Sequence, residues 1–83
     1  MDRTEGTQRL FEHFARIGRA VSSAQRIHLL EILAQGERSV EGLSTRAQLP
    51  VANTSHHLQV LRRARLVDVR RQGTRIYYRL AGL

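Results

Sequence analysis

The chain has 83 residues, a formal net charge of +7 in which every Lys/Arg position is arginine, and no cysteine. That length fits one domain with a small core, which a second copy would help to cover, and the lack of cysteine excludes a disulfide framework, a thiolate metal site and a cysteine nucleophile. No apolar run approaches the roughly 18–20 residues of a membrane span and the N-terminus has no signal-peptide pattern, which points to a cytoplasmic protein.

Residues 1–8 are polar and are expected to be disordered. From there Leu10, Phe14, Ile17 and Val21 recur at helical spacing, with Phe11 and Ala15 widening the stripe, so a first helix is expected over about 8–20. In "SSAQRIHLLEILAQGE" Ser22 or Ser23 reads as an N-cap and Gly36 as a stop. Ile27, Leu30 and Leu33 form its apolar face, widened by Leu29 and Ile32, which makes this helix (about 24–35) the expected centre of the core. Ser39 caps a short third helix, about 40–47, with Glu41 in its first turn and Val40, Leu43 and Ala47 facing inward. Pro50 ends the connection Gln48-Leu49-Pro50 and opens a fourth helix that runs to about Ala64.

After Leu66 the period changes to two. Val67, Val69 and Arg71, then Ile76, Tyr78 and Leu80, alternate with polar residues around "RQGT", which predicts a β-hairpin over 66–80 with an arginine-rich tip from Arg70 to Arg75. The charge is concentrated here. Residues 1–60 hold seven arginines against six acids, a net of +1, whereas residues 61–83 hold seven arginines against Asp68 alone, a net of +6. Such a block attracts polyanions, nucleic acid first among them. The expected architecture is mainly α with a β-hairpin: one winged helix-turn-helix domain over 1–83, four helices followed by a two-stranded wing, with the helix-turn-helix at 40–64.

The fourth helix carries the chemistry. At about 100° per residue Thr54, Leu58 and Leu61 share a core-facing band, and Ala52, His56, Gln59 and Arg63 share the opposite one, flanked by Asn53 and Ser55. The outward band is polar and free of acids, as a helix laid in a major groove requires. In "NTSHHLQVLRR" the adjacent His56 and His57 point about 100° apart and cannot share a metal ion. His56 falls with the outward set, and His57 on the shoulder of the core face reads as a packing histidine bonded to backbone or to a neighbouring side chain. His28 and Glu31 read as a surface pair, and His13 as solvated. No nucleophile has a base beside it and no glycine-rich phosphate loop is present, so no enzyme, cofactor or metal site is expected. Tyr78 is expected in the core and Tyr77 at an edge or facing a partner, where stacking on single-stranded bases is the lesser reading.

"RIHLLEILAQGERSVEGLS", "NTSHHLQVLRRARLV" and "RRQGTRIYYRL" resemble, in order and spacing, the ArsR/SmtB family of bacterial winged helix-turn-helix repressors, over about residues 10–81. The element Ser55-His56-His57-Leu58-Gln59-Val60-Leu61, followed by Leu66-Val67 and the Gly73 to Leu80 wing, carries most of that likeness. The resemblance implies a homodimer that binds an inverted-repeat operator and leaves it on meeting an inducer. It implies base and phosphate contacts by Ala52, Asn53, Ser55 and His56, joined on the same helix by Gln59 and Arg63. Flanking contacts would come from Arg70, Arg71, Gln72, Thr74 and Arg75 of the wing and from Arg62. Metal-sensing members place cysteines at the third helix, where this chain has Arg38-Ser39-Val40-Glu41-Gly42, so thiolate sensing is excluded and the inducer stays unidentified. The sequence stops where the family's fifth helix would begin. That fits a shortened chain, a module of a longer protein such as the branch fused to a rhodanese-like domain, or a variant dimerising through Leu10, Phe11, Phe14 and Ile17. Arg65 stands where most members have glycine.

The leading expectation is therefore a dimeric repressor of the bacterial nucleoid, with arginines neutralising phosphates and the fourth helix reading bases about 34 Å from its symmetry mate. A winged protein–protein module would instead show a neutral or acidic outward face. An RNA or single-strand binder would use Tyr77 and the wing.

Overall fold

In the computed structural model, which describes residues 3–82, two of the helices begin at serine caps that the sequence offers. The order is α1 (Arg3–Ala20), α2 (Ala24–Ala34), β1 (Arg38–Ser39), α3 (Val40–Ala47), α4 (Val51–Arg63), β2 (Val67–Gln72) and β3 (Arg75–Leu80). Ser23 caps α2 by accepting the Arg26 amide at 3.3 Å, and Ser39 caps α3 by accepting the Gly42 amide at 3.1 Å. These bonds satisfy amides that a helix start would otherwise leave without partners.

Both helices of the helix-turn-helix end in the same way. Gln48 (φ 57°) and Arg65 (φ 61°) adopt the left-handed conformation. Around each, two backbone bonds close a Schellman motif: Gln48 to Thr45 and Leu49 to Ser44 after α3, Arg65 to Arg62 and Leu66 to Leu61 after α4. The Ser44 hydroxyl donates to the Leu49 carbonyl, and the Thr54 hydroxyl donates to Pro50 O at 3.1 Å, so the connection between α3 and α4 is tied at both ends.

The core is small. Leu29, Leu43, Leu58, Leu61, Val67 and Thr54 are its largest fully buried side chains, with Ala20, Ile32, Leu33, Ala64 and Tyr78 around them. Thr54, Leu58 and Leu61 face inward, as the wheel predicts. On α2 the buried face centres on Leu29, Ile32 and Leu33, whereas Ile27 is exposed, because the helix meets α3, α4 and β3 on that side only.

One expectation is corrected. Residues 3–8 are helical rather than disordered: Glu5 sits in the first turn of α1, where the helix dipole favours an anion, and stands four residues before Arg9. Met1 and Asp2 lie outside the described residues. The two-stranded wing forms as expected from β2 and β3, and β1 adds to it, pairing antiparallel with β3 (Arg38 with Tyr78, Ser39 with Tyr77) to give a sheet of order β1-β3-β2. In the hairpin Gln72 faces Arg75 across a two-residue turn with Gly73 at φ +63°, the left-handed first position a type II′ turn requires. Val67 and Tyr78 are buried near its base, but Ile76 near the tip is not, because the tip runs past the helices.

The radius of gyration, 14.2 Å, exceeds the roughly 12 Å of a compact domain of this length. The excess lies in α1. Among its described residues only Ala20, at the C-terminal end, is buried, and Leu10, Phe11 and Phe14 are 50%, 63% and 55% exposed.

Candidate nucleic-acid interface

The outward face of α4 forms because its inward face is so well satisfied. With Thr54, Leu58 and Leu61 fixed in the core, helical geometry turns Ala52, His56, Gln59 and Arg63 outward, and all four are exposed. Asn53 and Arg62 are exposed beside them, while Ser55 is half-buried on the flank. The helix contains no acid. Its N-cap is Pro50, which offers no side-chain acceptor, so the positive end of the helix is left without an internal anion. A polar, acid-free surface with donors and acceptors at its N-terminal turns suits base edges and phosphates.

The two histidines separate as their angular positions require. His56 is exposed, and its ring centroid lies 5.8 Å from that of His57 at a tilt of 53°. The His57 Nδ1 lies 3.2 Å from Arg26 Nη1. A guanidinium can only donate, so Nδ1 accepts and the imidazole is neutral with its proton on Nε2. Burial first, then the positive charges of Arg26 and His56, lower the His57 pKa below its ordinary 6.5. The same Arg26 donates Nε to Ala20 O (2.8 Å) and Nη2 to Arg19 O (2.9 Å), clasping the last carbonyls of α1 against α2 and α4. His57 is therefore a packing residue that sets the seat of α4. Among the described residues no three His, Asp or Glu side chains converge as a metal site would need.

In the wing, the arginines divide. Arg71, Thr74 and Arg75 are exposed at the tip, and their side chains make no hydrogen bond or ion pair among the described residues. Arg70 is not free. Its Nε lies 3.1 Å from both Glu37 carboxylate oxygens, Nη2 donates to Oε1 at 2.5 Å, and Nη1 donates to Gln72 Oε1 at 2.7 Å. Its guanidinium also lies 4.9 Å from the centroid of Tyr77, its cross-strand neighbour. The hydrogen bond from Arg70 holds the Glu37 carboxyl below the usual carboxylate range. Arg70, braced by Gln72, thus anchors the wing to the α2–β1 connection, and the ring of Tyr77 has Arg70 over one face, which leaves it poorly placed for stacking on a base.

Arg26 and Glu37 are the residues that sequence reasoning missed. Their partners lie 31 and 33 residues away, beyond any local pattern.

A tight helix pair with an outward polar helix and a basic hairpin defines a winged helix-turn-helix protein. The model of the family described as bacterial regulatory protein, arsR family, matches residues 23–69, more than half of the sequence, and the chain belongs to that family. It is 44% identical over 73 residues to the HTH-type transcriptional regulator Rv0324 of Mycobacterium tuberculosis, covering 88% of this chain and 32% of that protein. It is 35% identical over 74 residues to a transcriptional repressor SmtB homolog of Synechocystis, covering 89% of this chain and 53% of that one. The solution structure of a homodimeric winged helix-turn-helix DNA-binding domain from Mycobacterium bovis superposes with a TM-score of 0.88 at 39% identity, over 99% of this chain and 74% of that one. The chain thus spans about a third to a half of the length of these two curated relatives. Among the described residues no helix is long and apolar enough to cross a membrane.

Proposed function

We propose that this chain is the double-stranded-DNA-binding part of a dimeric transcriptional repressor rather than an enzyme, acting in the cytoplasm on the bacterial nucleoid. Ala52, Asn53, Ser55, His56, Gln59 and Arg63 enter the major groove. Arg62, Arg71, Thr74 and Arg75 meet the phosphates on either side, and Arg70 and Gln72 set the pose of the wing. A second copy packs on Leu10, Phe11, Phe14 and Ile17 of α1, so the operator is an inverted repeat, and an inducer releases the protein from it.

The carrying observation is the acid-free, exposed outer face of α4 beside a wing tip whose Arg71 and Arg75 have no carboxylate partner. The likeness to a domain described as homodimeric and DNA-binding, and to relatives described as regulators and repressors, supports the same reading.

The test is anisotropy on a labelled duplex between 50 and 200 mM salt. With about six to eight phosphates neutralised per dimer, affinity falls by a few orders of magnitude over that range. A flat response sinks the proposal.

A further inference from the structure

The outer face of α4 does not use all of the positive charge around that helix. Between α1 and α4 lies a cleft of 390 Å³ lined by Arg16, Arg19, Arg26, Val60, Arg63 and Ala64. Its volume is within the range of small-ligand sites, roughly 300–1,000 Å³. Four of its six lining residues are arginines and none is an acid. Among the described residues, Arg16, Arg19 and Arg63 make no ion pair. Four cations around one concave space repel one another until an anion joins them.

One of the four is already positioned. Arg26 spends three of its N–H bonds on Ala20 O, Arg19 O and His57 Nδ1, which fixes the plane of its guanidinium. Of its five donors two remain (5 − 3), one on each terminal nitrogen, the fork geometry that suits a carboxylate, sulfonate or phosphate. The other side of the cleft is apolar, with Ala64 buried and Val60 packed against the core. An inorganic ion would leave that surface unused.

We propose that this cleft is the binding site of a small organic anion, one charged head on an apolar body, and that its occupancy opposes DNA binding. The opposition rests on reading α4 as the DNA-reading helix. Arg63 belongs both to the cleft and to the outward face, so a ligand that draws its guanidinium inward takes a cation from the duplex. The coupling is reciprocal: whatever factor the anion takes from DNA affinity, DNA takes from anion affinity. In a dimer formed through α1 the site stays off the centre of the contact, because Arg16 and Arg19 point about 80° or more around the helix from each of Leu10, Phe11, Phe14 and Ile17.

The experiment titrates phenyl phosphate, and separately inorganic phosphate, into the isotope-labelled full chain at constant ionic strength, followed by duplex competition. The comparison variant is Arg16→Gln/Arg19→Gln, which leaves the Arg26 clasp and the outer face of α4 intact. Phenyl phosphate should give saturable shifts at Val60, Arg63 and Ala64, bind more tightly than inorganic phosphate, and lose roughly tenfold or more in affinity in the variant. It should weaken duplex binding by the parent chain and not by the variant. Shifts that never saturate, or that are equal in the variant, overturn the site. A variant that itself loses duplex affinity with a flatter salt slope also overturns it, because the cleft would then be a phosphate contact of DNA. Saturable binding by a protein that binds no duplex instead overturns the DNA reading and the competition, and leaves the anion site standing.

Discussion

Helices α1 and α4 each leave one face uncovered, and the two faces ask for different partners. That of α1 is apolar: Leu10, Phe11 and Phe14 stand half or more exposed on a rod that projects from the core. That of α4 is polar and acid-free, while its inner face is buried completely at Thr54, Leu58 and Leu61. Exposed apolar surface is costly in water and self-complementary, so it favours a like surface. An exposed cationic face is soluble alone and favours a polyanion. In the proposed dimer the first need serves the second, because pairing two α1 helices would cover the apolar rod and hold two α4 helices at a set distance.

The largest expected effect breaks the α1 side. Phe14→Glu takes from both copies of a symmetric contact the half of the ring that is exposed in the single chain, a loss of roughly 2–3 kcal/mol in dimerisation at about half of the 1.5–3 kcal/mol for full burial of such a side chain, before the cost of covering a carboxylate is added. Sedimentation should show a monomer with unchanged helix content, and operator affinity should fall with the dimer. A dimer of parent stability would remove α1 from the interface. On the α4 side, His56→Ala should cost roughly 1–3 kcal/mol of discrimination between operator and random duplex. Arg71→Ala should instead weaken both alike and lower the salt slope by about one phosphate. An equal loss on both duplexes for His56→Ala would take His56 out of the base-reading set.

How much of this was legible differs between the same two helices. The bounds of α3 and α4 and the inward and outward bands of α4 follow from Ser39, Pro50 and the periodicity of Leu58 and Leu61, all local signals. The start of α1 was not legible, because a polar run such as Thr4 to Arg9 shows no apolar period whether it is helical or not. Nor was β1, since two residues carry no alternation and the strand exists only through its pairing with Tyr77 and Tyr78. Arg70 read as one more arginine of the wing tip. Its tie to Glu37 had no local signal, because only the fold brings that carboxylate near. The left-handed Gln48 carried no glycine to mark it.

The clasp at the foot of α4 gives a smaller effect, with a sign set by His57. Its folded pKa lies below the ordinary 6.5, so the unfolded chain binds the proton more readily. Its contribution to stability is present above that value and is lost as the pH falls through the lowered folded pKa. Glu37 acts in the same direction in a lower window, below its ordinary 4.5, as its bond to Arg70 is lost. Urea unfolding at fixed protein concentration should therefore show less stability at pH 5.5 than at pH 7.5. His57→Gln should shrink that difference, and an undiminished difference would place the titrating group elsewhere.

The smallest effect concerns the last residue of the α4 turn. Arg65 holds φ 61° in a Schellman motif, a conformation that costs an L residue about 1–2 kcal/mol and glycine almost nothing. Arg65→Gly relieves that strain but gives the unfolded chain more freedom, about 0.5–1 kcal/mol in the other direction. The difference predicts a gain of about 0.5–1 kcal/mol, or roughly 2–8 °C in the melting temperature of a domain this size. The exposed Arg65 borders the cleft that Arg9, Glu12, His13 and Arg16 of α1 line, so the chain keeps a strained cation where α1 and the end of α4 meet. If Arg65→Gly raises the melting temperature and lowers duplex affinity together, the strain is retained for charge. A higher melting temperature with unchanged affinity would leave Arg65 with no part in binding DNA.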